Sequence, residues 1–184
     1  LNEAFIEARL AAKLDPLSPK GSFRLGELYF RSERYIEAIE LFDKVLSENP
    51  FFKQASILIA WCHVCLSEYD KAITIFKNIP VTSDQTITYY GGLAYTYYKS
   101  KMLDKVLDCM KDFKLEVTRG YHHWLNYNYT LLFRALGEKE KMFEFLEKSL
   151  KEKHTPLIFI RVDPLWIEYK SDPEFEMLLD KSFV

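Results

Sequence analysis

Few residues in this chain have types and spacings that could do chemistry. Cys62 and Cys65 bracket His63 at a C-x-x-C spacing, where two thiolates could share a metal ion or cycle through a disulfide. The surroundings argue against both. No second pair completes a tetrahedral site, Leu66 follows Cys65 where a haem-attachment motif needs histidine, and the stretch lies within a helical pattern. The third cysteine, Cys109, leaves an odd count that makes no disulfide framework. His122 and His123 are adjacent, so their rings point apart, and no carboxylate is placed to help either. Glu138, Glu140, Glu144 and Glu147 interleave with Lys139, Lys141 and Lys148 as helix-surface ion pairs do. There is no Walker-type glycine loop, no G-x-S-x-G elbow and no H-E-x-x-H. The chain is therefore expected to hold no catalytic residue, no metal and no cofactor.

Binding chemistry is better represented. Aromatic residues make up 16 % of the chain, and aromatic and arginine side chains are the common anchors of protein interfaces. A 48 % hydrophobic and 28 % charged composition fits a folded domain with a sizeable core. The net charge of −2 offers no broad cationic field for phosphates, so nucleic acid is not an expected partner. Lys99, Lys101, Lys105, Lys111 and Lys114 read as a solvated helix face. No apolar run approaches the roughly 20 residues of a membrane-spanning helix, and no secretory signal is recognisable. A cytoplasmic protein with no membrane contact is the expectation.

Which aromatic side chains converge depends on the elements that carry them, and those follow a fixed interval. Tyr35, Ala38, Ile39 and Phe42 recur 34 positions later as Tyr69, Ala72, Ile73 and Phe76, and again as Leu103, Val106, Leu107 and Met110. A period of about 34 residues predicts an all-α, helix-turn-helix solenoid. Within 19–52, Leu25-Gly26 and Tyr29 fall on a first helix, Ala38 and Phe42 on a second, and Pro50 closes the unit. These residues match the L-G-x-x-Y, A-x-x-x-F and P landmarks, and the segment resembles the tetratricopeptide repeat family. The resemblance implies a right-handed superhelix of helical hairpins that binds proteins or peptides and carries no catalytic machinery.

Packing gives each landmark a reason. Close approach of the two helices predicts Gly26 opposite Ala38, with Phe42 filling the space one turn on. The expected organisation is one domain over 1–184. It comprises the second helix of a truncated repeat (1–18), repeats at 19–52, 53–86 and 87–120, a divergent repeat at 121–154, and a C-terminal cap at 155–184. Asp84 takes the place of Pro50 in the second repeat, and the fourth slips by two residues, with Gly137 as a left-handed cap and 138–141 as the turn. The chain opens at Leu1, inside a repeat and without methionine, so it is expected to be part of a longer polypeptide. Its first helix should then expose an apolar face that frays or engages a neighbouring molecule.

The closing segment leaves the repeat pattern. Thr155-Pro156, Asp163-Pro164 and Asp172-Pro173 each set a capping oxygen before a proline, predicting short helices near 156–161, 164–170 and 173–181. Trp166, Phe175, Leu178 and Leu179 should cover the last repeat. The run from Val162 to Trp166, followed by 171–179, resembles the ending of tetratricopeptide modules in bacterial multidomain regulators. In those proteins the module follows cyclase, serine/threonine kinase or winged-helix domains, which implies a regulatory role in signalling or transcription.

In the tetratricopeptide register, first helices line a concave face, and helical periodicity names the residues exposed there. The expected groove comprises Phe23, Arg24, Glu27, Phe30, Arg31, Trp61, Tyr95, Tyr98, Trp124, Tyr127 and Asn128. A peptide with apolar side chains, or another domain of the same polypeptide, would fit it. The alternatives are that several rings are core or are covered by the C-terminal helices, that repeat ends mediate homo-oligomerisation, or that an enclosed aromatic pocket senses a small molecule. The carboxylate clamp by which some tetratricopeptide co-chaperones hold acidic tails would fall on Phe23, Glu27, Leu58, Thr88 and Gly92, none of which can do that chemistry.

Overall fold

The computed structural model describes residues 2–15, 18–79, 89–120, 124–152 and 155–182. These residues are helical with short turns and include no strand, and none of their helices is long and apolar enough to cross a membrane. The all-α helix-turn-helix repeat fold expected from the 34-residue period is thus observed. The chain divides into two compact units, Leu1–Ile79 and Pro80–Val184.

The first unit contains α1 (Asn2–Leu14), α2 (Pro19–Arg31), α3 (Tyr35–Glu48), α4 (Lys53–Cys65) and α5 (Tyr69–Asn78), each packed against the next. Pro19 opens α2, where its missing N–H costs nothing. Ala38, Phe42, Val45, Ala60, Ala72 and Phe76 are fully buried between these helices. Gly26 faces the Phe42 ring itself rather than Ala38: a methyl group there would lie 2.6 Å from Cε1 of Phe42. The ring occupies the space that the glycine leaves. On α1, Phe5 packs 5.2 Å from Tyr29 and Ala8 is buried, while Ile6, Leu10 and Leu14 are exposed.

The second unit contains α6 (Tyr89–Lys99), α7 (Leu103–Thr118), α8 (Leu125–Ala135) and α9 (Lys139–Lys151), then two 3-10 stretches, Thr155–Val162 and Pro164–Tyr169, and finally α10 (Pro173–Ser182). α6 packs on both α7 and α8, α8 on α9, and α9 on α10. The first two of the three short C-terminal helices are 3-10 rather than α. Asp163 accepts from the Leu165 N–H at 2.8 Å and Asp172 from the Glu174 N–H at 3.1 Å, the capping expected before each proline. Leu157, Ile160, Leu165 and Trp166 are buried. The side chain of Thr155 lies outside the described residues, as do Pro16, Asp84, Thr88, His122 and His123.

The repeat interval is also written in the backbone turns. Glu33, Ser67 and Lys101 have φ of 61°, 61° and 64°, and Gly137 follows at 73°. After each comes the same bond closing the helix before it: Arg34 N–H to the Tyr29 carbonyl, Glu68 to His63, Met102 to Tyr97, and Glu138 to Phe133, all within 2.8–3.0 Å. A left-handed residue with this long-reaching bond is the Schellman way of ending a helix. α9 begins at Lys139, so the last of these turns is shorter than the 138–141 expected.

Candidate functional site

In the first unit, the predicted groove residues separate into a core set and a surface set. Phe30 and Trp61 are 3 % exposed. Phe30 packs 5.9 Å from Tyr35, and the Trp61 ring meets Phe76 edge-on at 5.7 Å. The expectation that these two line a surface is corrected: each turns toward the second helix of its own hairpin, where burial of an aromatic ring gains most. Phe23 is half-buried, 5.6 Å from Phe42 and 4.9 Å from Phe52. Beside it on α2, Glu27 sits between two guanidiniums, 2.7 Å from Arg24 and 3.3 Å from Arg31. Arg24 is the exposed member of this row, while Glu27 and Arg31 are largely covered. The face therefore offers one half-buried ring and one outward guanidinium fixed by a carboxylate.

The C-x-x-C spacing sits elsewhere in this unit. Cys62 is buried and its thiol is pushed up by burial and by Cys65, so it stays protonated and unreactive. The Tyr35 hydroxyl is pushed up by burial and by its hydrogen bond with Cys65. His63 Nδ1 lies 2.6 Å from Glu68, which also pairs with Lys71. Among the described residues, no three His, Cys, Asp or Glu side chains converge as a metal site.

In the second unit, the predicted residues form a tight cluster, and the chain's own tail lies over it. Asn128 is fully buried and joins two helices: its Oδ1 accepts from Gly91 N–H at 3.2 Å and its Nδ2 donates to the Trp124 carbonyl at 3.1 Å. Gly91 permits that approach, since a Cβ there would lie 2.7 Å from the Leu131 Cβ. Tyr95, Trp124 and Tyr127 are buried, and only Tyr98 keeps substantial exposure, at 41 %. Their expected place on an open face is corrected: Trp166 of the tail lies against Tyr127, Trp124 packs edge-on against the same tyrosine, and Arg134 lies over the Tyr95 ring. Trp166 Nε1 donates to the Tyr127 hydroxyl at 3.3 Å, and the indole stacks on Phe175 at 5.7 Å. Burial pushes the Tyr127 hydroxyl above its ordinary value, with Asp163 adding to the effect.

Arg134 is the centre of this cluster. It donates to the Tyr95 hydroxyl at 3.0 Å and to Glu168 from Nε at 3.1 Å and from Nη2 at 2.6 Å. The rings of Tyr95, Trp166 and Tyr169 surround the guanidinium at 4.3, 5.0 and 5.2 Å. Its Nη1 is buried without a hydrogen-bond partner among the described residues, so the negative faces of the rings stand in for one. Burial pulls the Arg134 pKa down, but Tyr95 and Glu168 outweigh it, and the guanidinium stays charged. Helical periodicity places Arg134 on the same face as Trp124, Tyr127 and Asn128, whereas Glu168 and Tyr169 were not among the predicted groove residues. The available signal was one arginine in the otherwise uncharged helix LNYNYTLLFRA, which burial makes costly without a partner.

This geometry describes a face that holds a 3-10 segment with aromatic and acidic side chains. Among the described residues, this cluster brings together no nucleophile, base and oxyanion donor of the kind that catalysis needs. Residues 19–52 match the family model for the tetratricopeptide repeat. Such repeats generally mediate protein–protein interaction and are generally non-catalytic. No curated protein matches the chain.

Proposed function

We propose that this chain is a non-catalytic recognition module that binds a peptide or domain through the first helices of its hairpins. The observation that carries the reading is internal: in the second unit those helices already hold Trp166, Glu168 and Tyr169 of the tail through Arg134 and Tyr127. The ligand is accordingly a segment that combines aromatic and acidic side chains. In the first unit, Phe23, Arg24, Glu27 and Arg31 offer the same pairing of ring and guanidinium to an incoming partner. The similarity of 162–179 to the endings of modules in bacterial regulators supports a regulatory role in a larger cytoplasmic protein.

Peptide display on the purified chain tests this. Enriched sequences should carry an aromatic and an acidic residue, and Arg24→Glu should weaken their binding about tenfold with helicity unchanged, the scale of a lost charge-assisted contact. Enrichment of basic sequences, or binding indifferent to Arg24→Glu, would refute the assignment.

A further inference from the structure

We propose that the seam between α7 and α8 is a joint held ajar by Leu125 and Lys114, leaving α7 free to swing its outer stripe toward α8. The inference concerns packing inside the second unit and does not rest on the peptide-binding reading.

The left-handed residues Glu33, Ser67 and Gly137 put three hairpins in one register. Twelve positions before them, on the first helices, stand Gly21, Ala55 and Leu125. A Cβ on Gly21 would lie 2.7 Å from the Cα of Ala12, so α1 and α2 nearly touch at that place. One repeat on, Ala55 is fully buried in α4, and Leu46 of α3 takes the place of Ala12. In the α7–α8 seam the two places hold Lys114 and Leu125. The facing pair thus grows from alanine and glycine, through leucine and alanine, to lysine and leucine. Helix separation follows the bulk of the side chains at the contact, so the third seam is the widest.

The positions that a closed seam covers show the effect. On α3, the Tyr35 hydroxyl is hydrogen-bonded with Cys65 of α4, and Ile39 is half-buried. On α9, Phe143 is buried, 5.8 Å from Tyr169 and 6.3 Å from Phe175. The matching residues of α7, Leu103 and Leu107, are 60 % and 59 % exposed. α7 reaches α8 through two large rings, Phe113 and Tyr129, 5.0 Å apart. Further along α8, Phe133 is half-buried and stacks on Tyr129 and Phe145, whereas its counterpart Tyr29 packs on Phe5 of the preceding helix. Two uncovered leucines face a half-covered ring, and closing the joint would bury all three. The ring contact is the pivot and Leu125 is the stop.

Maleimide labelling of single cysteine variants, located by peptide mass spectrometry, is the test. Leu107→Cys should label about as fast as its exposed neighbour Asp108→Cys, and about tenfold faster than Ile39→Cys on the covered seam. Leu125→Ala with Lys114→Leu recreates the pair of the α3–α4 seam. It should slow labelling at Leu107→Cys about tenfold with helicity unchanged. Where that pair weakens the fold, charges placed in the stripe read the joint instead: Leu107→Glu should leave the urea midpoint in place, while Ile39→Glu should lower it. Protection of Leu107→Cys in the otherwise native chain, labelling indifferent to the recreated pair in a folded protein, or equal losses from the two glutamates would overturn the proposal.

Discussion

Arg134 donates to the Tyr95 hydroxyl at 3.0 Å while its guanidinium lies 4.3 Å from the centre of the same ring. One cation thus uses one tyrosine twice, through its edge and through its face. The arrangement holds the guanidinium in place for Glu168 on the tail. Glu168→Ala should cost about 1–2 kcal/mol, because the carboxylate is half exposed and leaves a buried donor behind. Arg134→Ala should cost about 3–4 kcal/mol by adding a cavity among three rings. Urea unfolding of the double variant should fall short of the sum by roughly 1 kcal/mol, since both changes remove the same bond.

The two close-approach glycines should tolerate substitution unequally. Gly26→Ala meets the edge of Phe42, a ring that can tilt, whereas Gly91→Ala meets the Cβ of Leu131, which moves only with its backbone. Overpacking should cost about 1–3 kcal/mol, toward the upper end at Gly91. Adding Phe42→Leu to Gly26→Ala should recover part of the loss, as read from thermal or urea midpoints.

Three of the four left-handed turn positions carry side chains that this backbone region disfavours. Glycine at Glu33, Ser67 or Lys101 should stabilise by about 0.5–1 kcal/mol, and alanine at Gly137 should destabilise by about 1 kcal/mol. The gains should add, because the sites share no partners. A loss on Lys101→Gly would show that the left-handed residue carries no strain there.

Stability should fall at both ends of the pH scale. Glu37, held by Arg34, Glu68, held by Lys71 and His63, Glu147, held by Lys151, and Asp172, held by Lys139, all have lowered values in the fold. Their contribution is complete above the ordinary carboxylate values of 4.5 and 3.8 and is lost as pH drops through the lowered ones. Glu37, Glu68 and Glu147 are exposed, so added salt should flatten the acid limb. Burial raises Tyr35, Tyr90 and Tyr127 above 10.0, so their contribution is complete below that value and is lost as pH rises. Unfolding midpoints against pH should show a plateau between the two limbs, and Tyr127→Phe should make the alkaline limb shallower.

The helical hairpins were legible because their landmarks recur at a fixed interval, and that interval reappears in the left-handed turns at Glu33, Ser67 and Lys101. The salt-bridged face of α9 was equally plain: Lys141 pairs with Glu138, and Lys148 with Glu144. The aromatic face was not. Helical periodicity tells which side of α8 Tyr127 occupies, but not that Trp166 lies against it 39 residues later. Both an open groove and a covered one demand aromatic residues at the same positions. Only the unpaired charge of Arg134 distinguishes them, since a buried guanidinium requires a carboxylate from somewhere. Trp61 was misread for a related reason: its ring reaches back to Phe76 on the second helix of its own hairpin.

The 3-10 tail has a different kind of regularity. Leu157, Ile160, Asp163, Trp166 and Tyr169 are three residues apart, and the Asp163 N–H to Ile160 and Trp166 N–H to Asp163 bonds carry that step across the proline. With three residues to a turn, such positions eclipse along one edge. Losing or gaining a single residue between Leu157 and Trp166 would swing everything beyond it by a third of a turn, taking Trp166 off Tyr127 and Glu168 off Arg134 together. An insertion of three would keep the azimuth and displace the tail by about 6 Å along its axis. Natural lineages and engineers alike should find this stretch tolerant of replaced residues at its outward positions and intolerant of altered length.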